Sequence, residues 1–203
     1  MKKGLSVILS LVLVLAAFPL TGIDAFAESD FISGQCGDNV EYYYDSSTNT
    51  LTIGGTGKMY DYTFGSSGYG SRPSPFYDYN YNLRFKHCNV VIEEGVTSVG
   101  KNAFREVSLC NVTLPDSVTV IEEGAFCISR LNSISFGAGL MRVKQKAFVA
   151  DSAMTVSYPG TQAQWDAVSI EFVGNWQLLQ KNRSIKLIQV TRLTPASTTL
   201  LTA

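Results

Sequence analysis

The chain is poor in the residues that most catalytic and metal sites need. It has one histidine, His87, among 203 residues, and its four cysteines include no C-x-x-C spacing. A zinc site is therefore not expected. There is no G-x-S-x-G motif and no phosphate loop, and the adjacent residues His87 and Cys88 would face opposite sides of a strand. We predict neither an enzyme nor a site for a metal or cofactor.

Charge is also scarce, and long hydrophobic runs are limited to one. Lys and Arg number 16 and Asp and Glu 17, without a basic cluster, so no nucleic-acid partner is expected. The one long apolar run, residues 4–20, follows Lys2 and Lys3 and precedes AFA at 25–27. This order is typical of a secretory signal peptide at 1–27, with cleavage after Ala27. The mature chain is then expected to contain no membrane span.

The alternative to a signal peptide is a transmembrane anchor. The apolar run is short for a span and ends at a cleavage-like site, which disfavours this alternative. The sequence shows no LPxTG-type sorting motif near its C-terminus and no lipoprotein cysteine. We therefore predict a secreted or cell-surface protein.

What the sequence does contain is a repeat of 22 residues, in which six apolar columns keep their spacing without an insertion. A fixed period of about 20–50 residues indicates stacked units that bury their apolar sides against their neighbours. The pattern therefore predicts a solenoid with about four strand-bearing coils. The columns are Val90, Val112, Ile134 and Val156; Ile92, Leu114, Phe136 and Tyr158; Val96, Val118 and Leu140; Val99, Ile121 and Val143; Ala103, Ala125 and Ala147; and Phe104, Phe126 and Phe148.

Each repeat contains a segment with the alternation of a β-strand. LCNVTL (109–114) and LNSISF (131–136) fit the L-x-x-L-x-L pattern of leucine-rich repeats. We predict a mainly β solenoid with one parallel strand per 22-residue coil, joined by short helical turns. The exposed sheet face is a candidate binding surface, small and polar and without an aromatic anchor. Alternation places on it Asn111, Thr113, Ser133 and Ser135.

Cys88 and Cys110 are also one repeat apart. Both precede a strand at positions that are expected to point outward, and adjacent coils would bring their α-carbons roughly 5 Å apart. A Cys88–Cys110 disulfide is therefore one candidate pairing. The alternatives are free thiols, or pairing with Cys36 or Cys127.

Two charge pairs recur at the same spacing. Lys101 aligns with Glu123, and Glu122 aligns with Lys144, so opposite charges would meet on adjacent coils. The alternative is a solvated face without pairing, because exposed ion pairs contribute only about 0–1 kcal/mol.

The segments that flank the repeats are predicted to cover their ends. VEYYYDSSTNTLTIGGTG (40–57) has the pattern of a β-hairpin, and TQAQWDAVSI (161–170) that of a short helix with Thr161 as N-cap and Trp165 as an apolar plug. SIKLI (184–188) is predicted to be a last strand. The expected organisation is a signal peptide (1–27), an N-terminal capping hairpin with a tyrosine-rich loop (28–82), leucine-rich repeats (83–158), a C-terminal cap (159–190) and a flexible tail (191–203).

Tyrosine is concentrated in one region. Nine of the ten tyrosines fall between residues 42 and 81, and segment 60–81 mixes them with Gly, Ser, Pro and Asp. Binding loops have this composition, so Tyr69, Tyr77 and Tyr79 are candidate ligand-binding residues. The alternative is a connecting loop whose rings pack on the first coil.

Longer stretches resemble a known family. VVIEEGVTSVGKNAF and VTLPDSVTVIEEGAF resemble the BspA-type leucine-rich repeats of secreted bacterial proteins, whose unit is similar to VTIPDSVTSIGDYAFSGCSSL. SGQCGDNVEYYYDSSTNTLTIGGTGKMYDY (33–62) and SYPGTQAQWDAVSI (157–170) resemble the N-terminal and closing segments of its members. The chain departs from the family in having 22-residue repeats where 23 is common, and Val107 where Cys is frequent.

The resemblance implies a surface solenoid that serves adhesion or protein binding, with no catalytic residues. The implied partner is an extracellular protein or glycan. Two alternatives stay open: a structural spacer without a ligand, and a carbohydrate-binding module that uses the tyrosine-rich segment.

Overall fold

A computed structural model of the chain describes residues 32–64, 72–77, 85, 87–149, 154–175, 178 and 185–187. The predictions for the signal peptide at 1–27 and the tail at 191–203 lie outside these residues. The described part is mainly β, and its one complete helix is α1 (Gln162–Ala167). Its strands, numbered along the chain, form two sheets.

The larger sheet has eight strands. In spatial order they are β1 (Ile32–Gln35), β2 (Val40–Asp45), β3 (Thr50–Gly55), β5 (Cys88–Ile92), β7 (Leu109–Thr113), β9 (Ser133–Ser135), β11 (Thr155–Tyr158) and β13 (Ile185–Leu187). Pairing is antiparallel from β1 to β3 and parallel from β3 onward. The predicted hairpin is thus β2–β3, and the predicted last strand is β13.

A second sheet runs through the same repeats. Its strands are β12 (Ser169–Ile170), β10 (Arg142–Val143), β8 (Val120–Ile121), β6 (Val96–Val99) and β4 (Gly57–Lys58), and all neighbours are parallel. The prediction of one strand per repeat was therefore wrong, because a repeat such as 88–109 contributes to both sheets. A strand of 2 residues, such as β8, is too short to show the alternation by which strands are recognised in a sequence.

All members of the six apolar columns are buried. The rings of Phe104, Phe126 and Phe148 stack on one another, with centroids 5.3 Å apart in both pairs. Phe76, from the N-terminal segment, extends this stack at 4.8 Å from Phe104. Stacked pairs contribute about 0.5–1.5 kcal/mol beyond the burial of their area, so this column joins the N-terminal segment to the repeats.

Backbone hydrogen bonds link the repeats at a third place, the turn before each phenylalanine. Phe104 N–H donates to the carbonyl of Ala125, and Phe126 N–H donates to the carbonyl of Ala147, both at 2.8 Å. The two sheets and this turn give three rows of hydrogen bonds along the stack.

The side chain of Asn175 makes the hydrogen bond that the backbone of a further repeat would make in the third row. Its Oδ1 accepts the Phe148 N–H at 3.0 Å, and its Nδ2 donates to the carbonyls of Lys144 at 2.7 Å and Glu171 at 2.8 Å. Asn175 is fully buried. Its side-chain amide therefore satisfies backbone groups that would otherwise have no partner.

Helix α1 is shorter than the predicted 161–170 but begins as expected. Thr161 is the N-cap: its hydroxyl accepts the Gln164 N–H at 3.2 Å, and the Gln164 side chain accepts the Thr161 N–H at 2.8 Å. Trp165 is buried, with its ring centroid 5.6 Å from Phe136 and 5.3 Å from Tyr158. The helix thus places one large ring on the end of the core.

Both predicted charge pairs are formed. Lys101 Nζ lies 2.8 Å from Glu123 Oε2, and Lys144 Nζ lies 2.6 Å from Glu122 Oε2. The hydrogen bond from Lys101 holds the pKa of Glu123 below its usual range, against the opposing effect of burial.

Replacing Asn175 by Ala should destabilise the protein by about 1–3 kcal/mol, because the buried Phe148 N–H loses its acceptor. Urea unfolding measures the difference. Asn89→Ala is the matched control: it removes an asparagine that makes one side-chain hydrogen bond on the surface, and it should cost about 0.5 kcal/mol or less. Equal losses in the two variants would contradict the role of Asn175.

Replacing Glu123 by Gln should lower the free energy of unfolding by a few tenths of a kcal/mol at neutral pH, since the Lys101–Glu123 pair is partly exposed. The folded pKa of Glu123 is lowered, so its contribution is present above the unfolded pKa of about 4.3 and is lost as the pH falls through the folded value. The difference in unfolding free energy between the two proteins should therefore disappear in acid. A difference that stays constant down to about pH 2 would rule out this linkage.

Candidate binding surface

The outer face of the larger sheet, the side turned away from the core, carries the polar residues that alternation predicted. Asn111 and Thr113 are exposed, and Ser133 and Ser135 are half-buried. The register pairs Asn111 with Ser133 and Thr113 with Ser135. The structure thus brings all four candidate residues together on two adjacent strands.

These polar side chains hydrogen-bond to one another across the strands. Asn111 Nδ2 donates to Asn89 Oδ1 at 2.9 Å, and Ser133 Oγ donates to Asn111 Oδ1 at 2.6 Å. Ser157 Oγ donates to Ser135 Oγ at 2.8 Å. The outer face is therefore an ordered polar surface whose rotamers are held before any partner arrives.

The outer face continues from the repeats into the N-terminal segment. The register aligns Tyr43 with Thr52, Thr52 with Val91, and Val91 with Thr113. Tyr43 is 46% exposed and Val91 36% exposed. The prediction of a face without an aromatic anchor was wrong. Alternation in VEYYYD predicts that Tyr43 faces the opposite side of the sheet from its two neighbouring tyrosines. Only the pairing of the hairpin with the repeats shows that this side is the outer face.

The outer face is also wider than expected. Eight strands instead of four separate the outermost strand axes by roughly 34 Å, compared with roughly 15 Å for four. The added width comes from the three antiparallel strands on one side and from β13 on the other. A protein partner would therefore meet a surface more than twice as wide as the repeats alone suggested.

The tyrosine-rich segment is described only in part. Tyr69 and Tyr79 lie outside the described residues. Tyr77 is half-buried, and its ring meets that of Phe64 edge to face at 5.7 Å. The neighbouring Phe76 is buried in the phenylalanine stack. These rings contact one another and the first repeat, as in the connecting-loop alternative.

A cation lies on another ring of this segment. Arg72 Cζ is 4.3 Å from the centroid of the Tyr60 ring. Tyr62 is buried, burial raises its pKa, and its hydroxyl has no hydrogen-bond partner in the part of the chain that the structure describes. The described tyrosines of segment 60–81, which are Tyr60, Tyr62 and Tyr77, are therefore buried or half-buried, whereas stacking on a sugar needs an exposed ring face.

All four cysteines lie among the described residues, and all are free thiols. Cys88 is buried instead of outward-facing, and its ladder partner is Leu109, because the register shifts between Cys88 and Val90. The expected outward position of Cys88 was therefore wrong, and the structure does not form a Cys88–Cys110 bond. Cys110 follows Leu109 directly and still lies close enough to contribute to the raised pKa of Cys88, after burial.

A thiol nucleophile at Cys88 is also disfavoured. Burial raises the pKa of Cys88 to about 12, so the thiolate is scarce at neutral pH. His87 is exposed and has a left-handed backbone with φ of 53°. Burial likewise raises the pKa of Cys36 to about 12.

Metal sites and helical membrane spans are both absent from the described residues. There, no group of three or more His, Cys, Asp or Glu side chains could hold a metal ion. In the same residues, no helix is long and apolar enough to cross a bilayer.

Comparisons with known proteins agree with the repeat. Residues 78–169 match the family model of the BspA type leucine rich repeat region, with six copies. A crystal structure of a leucine-rich repeat protein from Eubacterium ventriosum is similar at 22% identity and a TM-score of 0.48, over 63% of this chain and 31% of that chain. Comparison with curated proteins gave no match. Residues 78–169 of this chain are therefore a leucine-rich repeat region of the BspA type.

Proposed function

We propose that the chain is a secreted module that binds a protein partner non-covalently through the outer face of the larger sheet. The observation that carries this proposal is a continuous eight-stranded surface that exposes Tyr43 and Val91 beside an ordered polar ladder. Leucine-rich repeat modules generally take part in protein interactions. The partner is an extracellular protein, and the binding serves adhesion at or near the bacterial surface.

The side chains of the outer face are held in place before a partner binds, which supports a role in protein binding. Asn111 is held from both sides by Asn89 and Ser133, so little side-chain entropy remains to be lost when a partner contacts it. An exposed tyrosine adds a large contact area that has few rotatable bonds, as in other binding surfaces. The outer face thus combines a prearranged polar area with an aromatic anchor at one side.

The flanking segments then act as caps of a repeat solenoid. Residues 28–82 supply β1–β3 and the ring of Phe76, and residues 159–190 supply Trp165 and Asn175. These groups cover apolar columns and backbone donors that open ends of residues 83–158 would expose. In this proposal the tail at 191–203 stays outside the packed domain.

Binding by one copy of this face is expected to be weak. A standard interface buries about 800 Å² on each partner, and only a few side chains per strand reach the outer face. Several copies on one surface would raise the overall affinity by avidity. Adhesion through this module therefore favours display in many copies.

The first experiment is a binding array. The exported protein is applied to immobilised matrix proteins, mucins, glycans and bacterial cell wall. The double variant Asn111→Arg with Ser135→Arg should lose a protein hit by about ten-fold or more, which is about 1.4 kcal/mol, because two long charged side chains then cover the polar ladder. Gln145→Arg with Ala163→Arg is the matched control, with the same charge change at exposed positions off this face.

The other outcomes separate the alternatives. A protein hit that both double variants keep would remove the outer face from the proposal. A glycan hit that is lost with Tyr69, Tyr77 and Tyr79 replaced by Ser, in a folded protein, would favour the carbohydrate-binding module. Binding to nothing on the array would favour the structural spacer. Circular dichroism of each variant checks that the fold is intact.

The predicted signal peptide leads to a separate prediction about export. In a Gram-positive host the full chain should appear in the medium with Glu28 as its first residue, which the intact mass of the protein measures. Replacing Ala25 and Ala27 by Leu should abolish this product, because a signal peptidase requires small residues at its site. A secreted protein that retains residues 1–27 would contradict the signal peptide.

A further inference from the structure

Nine outer-face positions on three neighbouring strands form a compact patch at the N-terminal side of the larger sheet. The register gives two rows across β2, β3 and β5, and a third row joins Glu41 and Gly54 to Glu93, which follows β5 and lies against Gly54. We call these positions the N-terminal patch. Its rows are Glu41, Gly54 and Glu93; Tyr43, Thr52 and Val91; and Asp45, Thr50 and Asn89.

The first row places two acidic residues on either side of a glycine. Gly54 has no side chain, Glu41 lies beside it on β2, and the carboxylate of Glu93 lies over it, where a β-carbon on Gly54 would collide. Glu41 and Glu93 are both exposed. Neither carboxylate is in an ion pair with a described residue, since the described pairs are Lys101–Glu123, Arg105–Glu106 and Lys144–Glu122.

The middle row contains a covered polar group between two partly exposed apolar side chains. Thr52 is only 6% exposed although it is on the outer face, because Tyr43 and Val91 lie on either side of it. Its hydroxyl makes no hydrogen bond to any described residue. A hydroxyl on the outer face is a donor and an acceptor that a ligand can satisfy.

The charge of the patch selects the partner. Its titratable side chains other than Tyr43 are the carboxylates of Glu41, Asp45 and Glu93, and none of the nine positions is Lys or Arg. Asp45 already accepts hydrogen bonds within its own turn, from Ser47 N–H at 2.8 Å and from Thr48 Oγ1 at 3.0 Å. Glu41 and Glu93 are therefore the carboxylates left to attract a cation. Phosphate-bearing partners would be repelled.

We infer that the N-terminal patch binds a basic segment of the protein partner, with one Lys or Arg side chain paired with the carboxylates of Glu41 and Glu93. The apolar stem of that side chain lies against Tyr43 and Val91, as stems of long cationic residues do on apolar surface. An arginine also stacks on the Tyr43 ring and bridges two carboxylates with its planar group, so it is favoured over lysine. This inference rests on the proposed function, because it assigns the chemistry of the partner at one end of the same face.

Fluorescence anisotropy of a labelled peptide of alternating arginine and serine, added to the exported protein, tests the inference. A twin peptide with glutamine in place of every arginine is the reference. Glu41→Gln with Glu93→Gln should weaken the arginine peptide by about five-fold, since two exposed ion pairs are lost. Glu122→Gln with Glu123→Gln makes the same change of charge just after β8, away from the outer face, and should leave the affinity within about two-fold.

Two further results are expected if the inference is right. The affinity of the unchanged protein for the arginine peptide should fall as salt is added, because exposed charges are screened. Tyr43→Ser should weaken the peptide without altering the charge, and it should reduce the preference for arginine over lysine. The fold of each variant is checked by circular dichroism.

The inference is overturned if the arginine and glutamine peptides bind equally, if neither binds, or if both double carboxylate variants weaken the arginine peptide to the same extent. Failure of the proposed function is distinguishable. A protein partner from the array that is lost with Asn111→Arg and Ser135→Arg but kept with Glu41→Gln and Glu93→Gln would leave the proposed function intact and remove the basic anchor. Binding of the arginine peptide without any protein partner on the array would support the basic anchor and leave the proposed function without support.

Discussion

Hydrogen bonds between equivalent backbone positions of successive repeats are the constraint on which this protein depends. They form three rows, one in each sheet and one at the turn before each phenylalanine, as between Phe126 N–H and the Ala147 carbonyl at 2.8 Å. All three rows link the same repeats, so a change of length within a repeat would shift the alignment of at least one row. The uniform period of 22 residues and the straight phenylalanine stack follow from this requirement.

Because each repeat is bonded to the next, the first and last repeats have backbone and apolar groups on their outer sides that no further repeat contacts. Backbone donors and apolar rings on an open end would be costly to expose or bury alone. The flanking segments supply side chains instead of further repeats. The Asn175 amide accepts the last phenylalanine N–H, Trp165 lies on Phe136, and Phe76 stacks on Phe104. The flanking segments also continue both sheets, through β3 and β4 at one end and through β12 and β13 at the other.

Alignment of the repeats also creates the outer face. Residues one repeat apart stand side by side, so Asn89, Asn111 and Ser133 form a continuous hydrogen-bonded line. The hairpin joins the same sheet and adds larger and more acidic side chains to one end. The face is therefore uneven: small and neutral along the repeats, aromatic and acidic beside Gly54. An uneven face of this kind can orient a partner as well as hold it.

Several features could be predicted from the sequence because each depends on residues close along the chain or on the period itself. The buried columns, the alternation that exposes Asn111 and Thr113, the Thr161 N-cap and the Lys101–Glu123 pair are of this kind. Each can be read by counting, since one repeat displaces every position by the same amount. The repeat family was recognisable for the same reason.

Other features required the tertiary structure, because they depend on how segments of unlike sequence meet. The second sheet consists of strands too short to leave a pattern, and Cys88 pairs with Leu109 only because the ladder slips by one step. Tyr43 joins the outer face through the pairing of β3 with β5, across a long stretch of intervening chain. The period of the sequence therefore determined the stack and its core. Contacts between the stack and its flanking segments decided the width and the chemistry of the face, because no period relates the two.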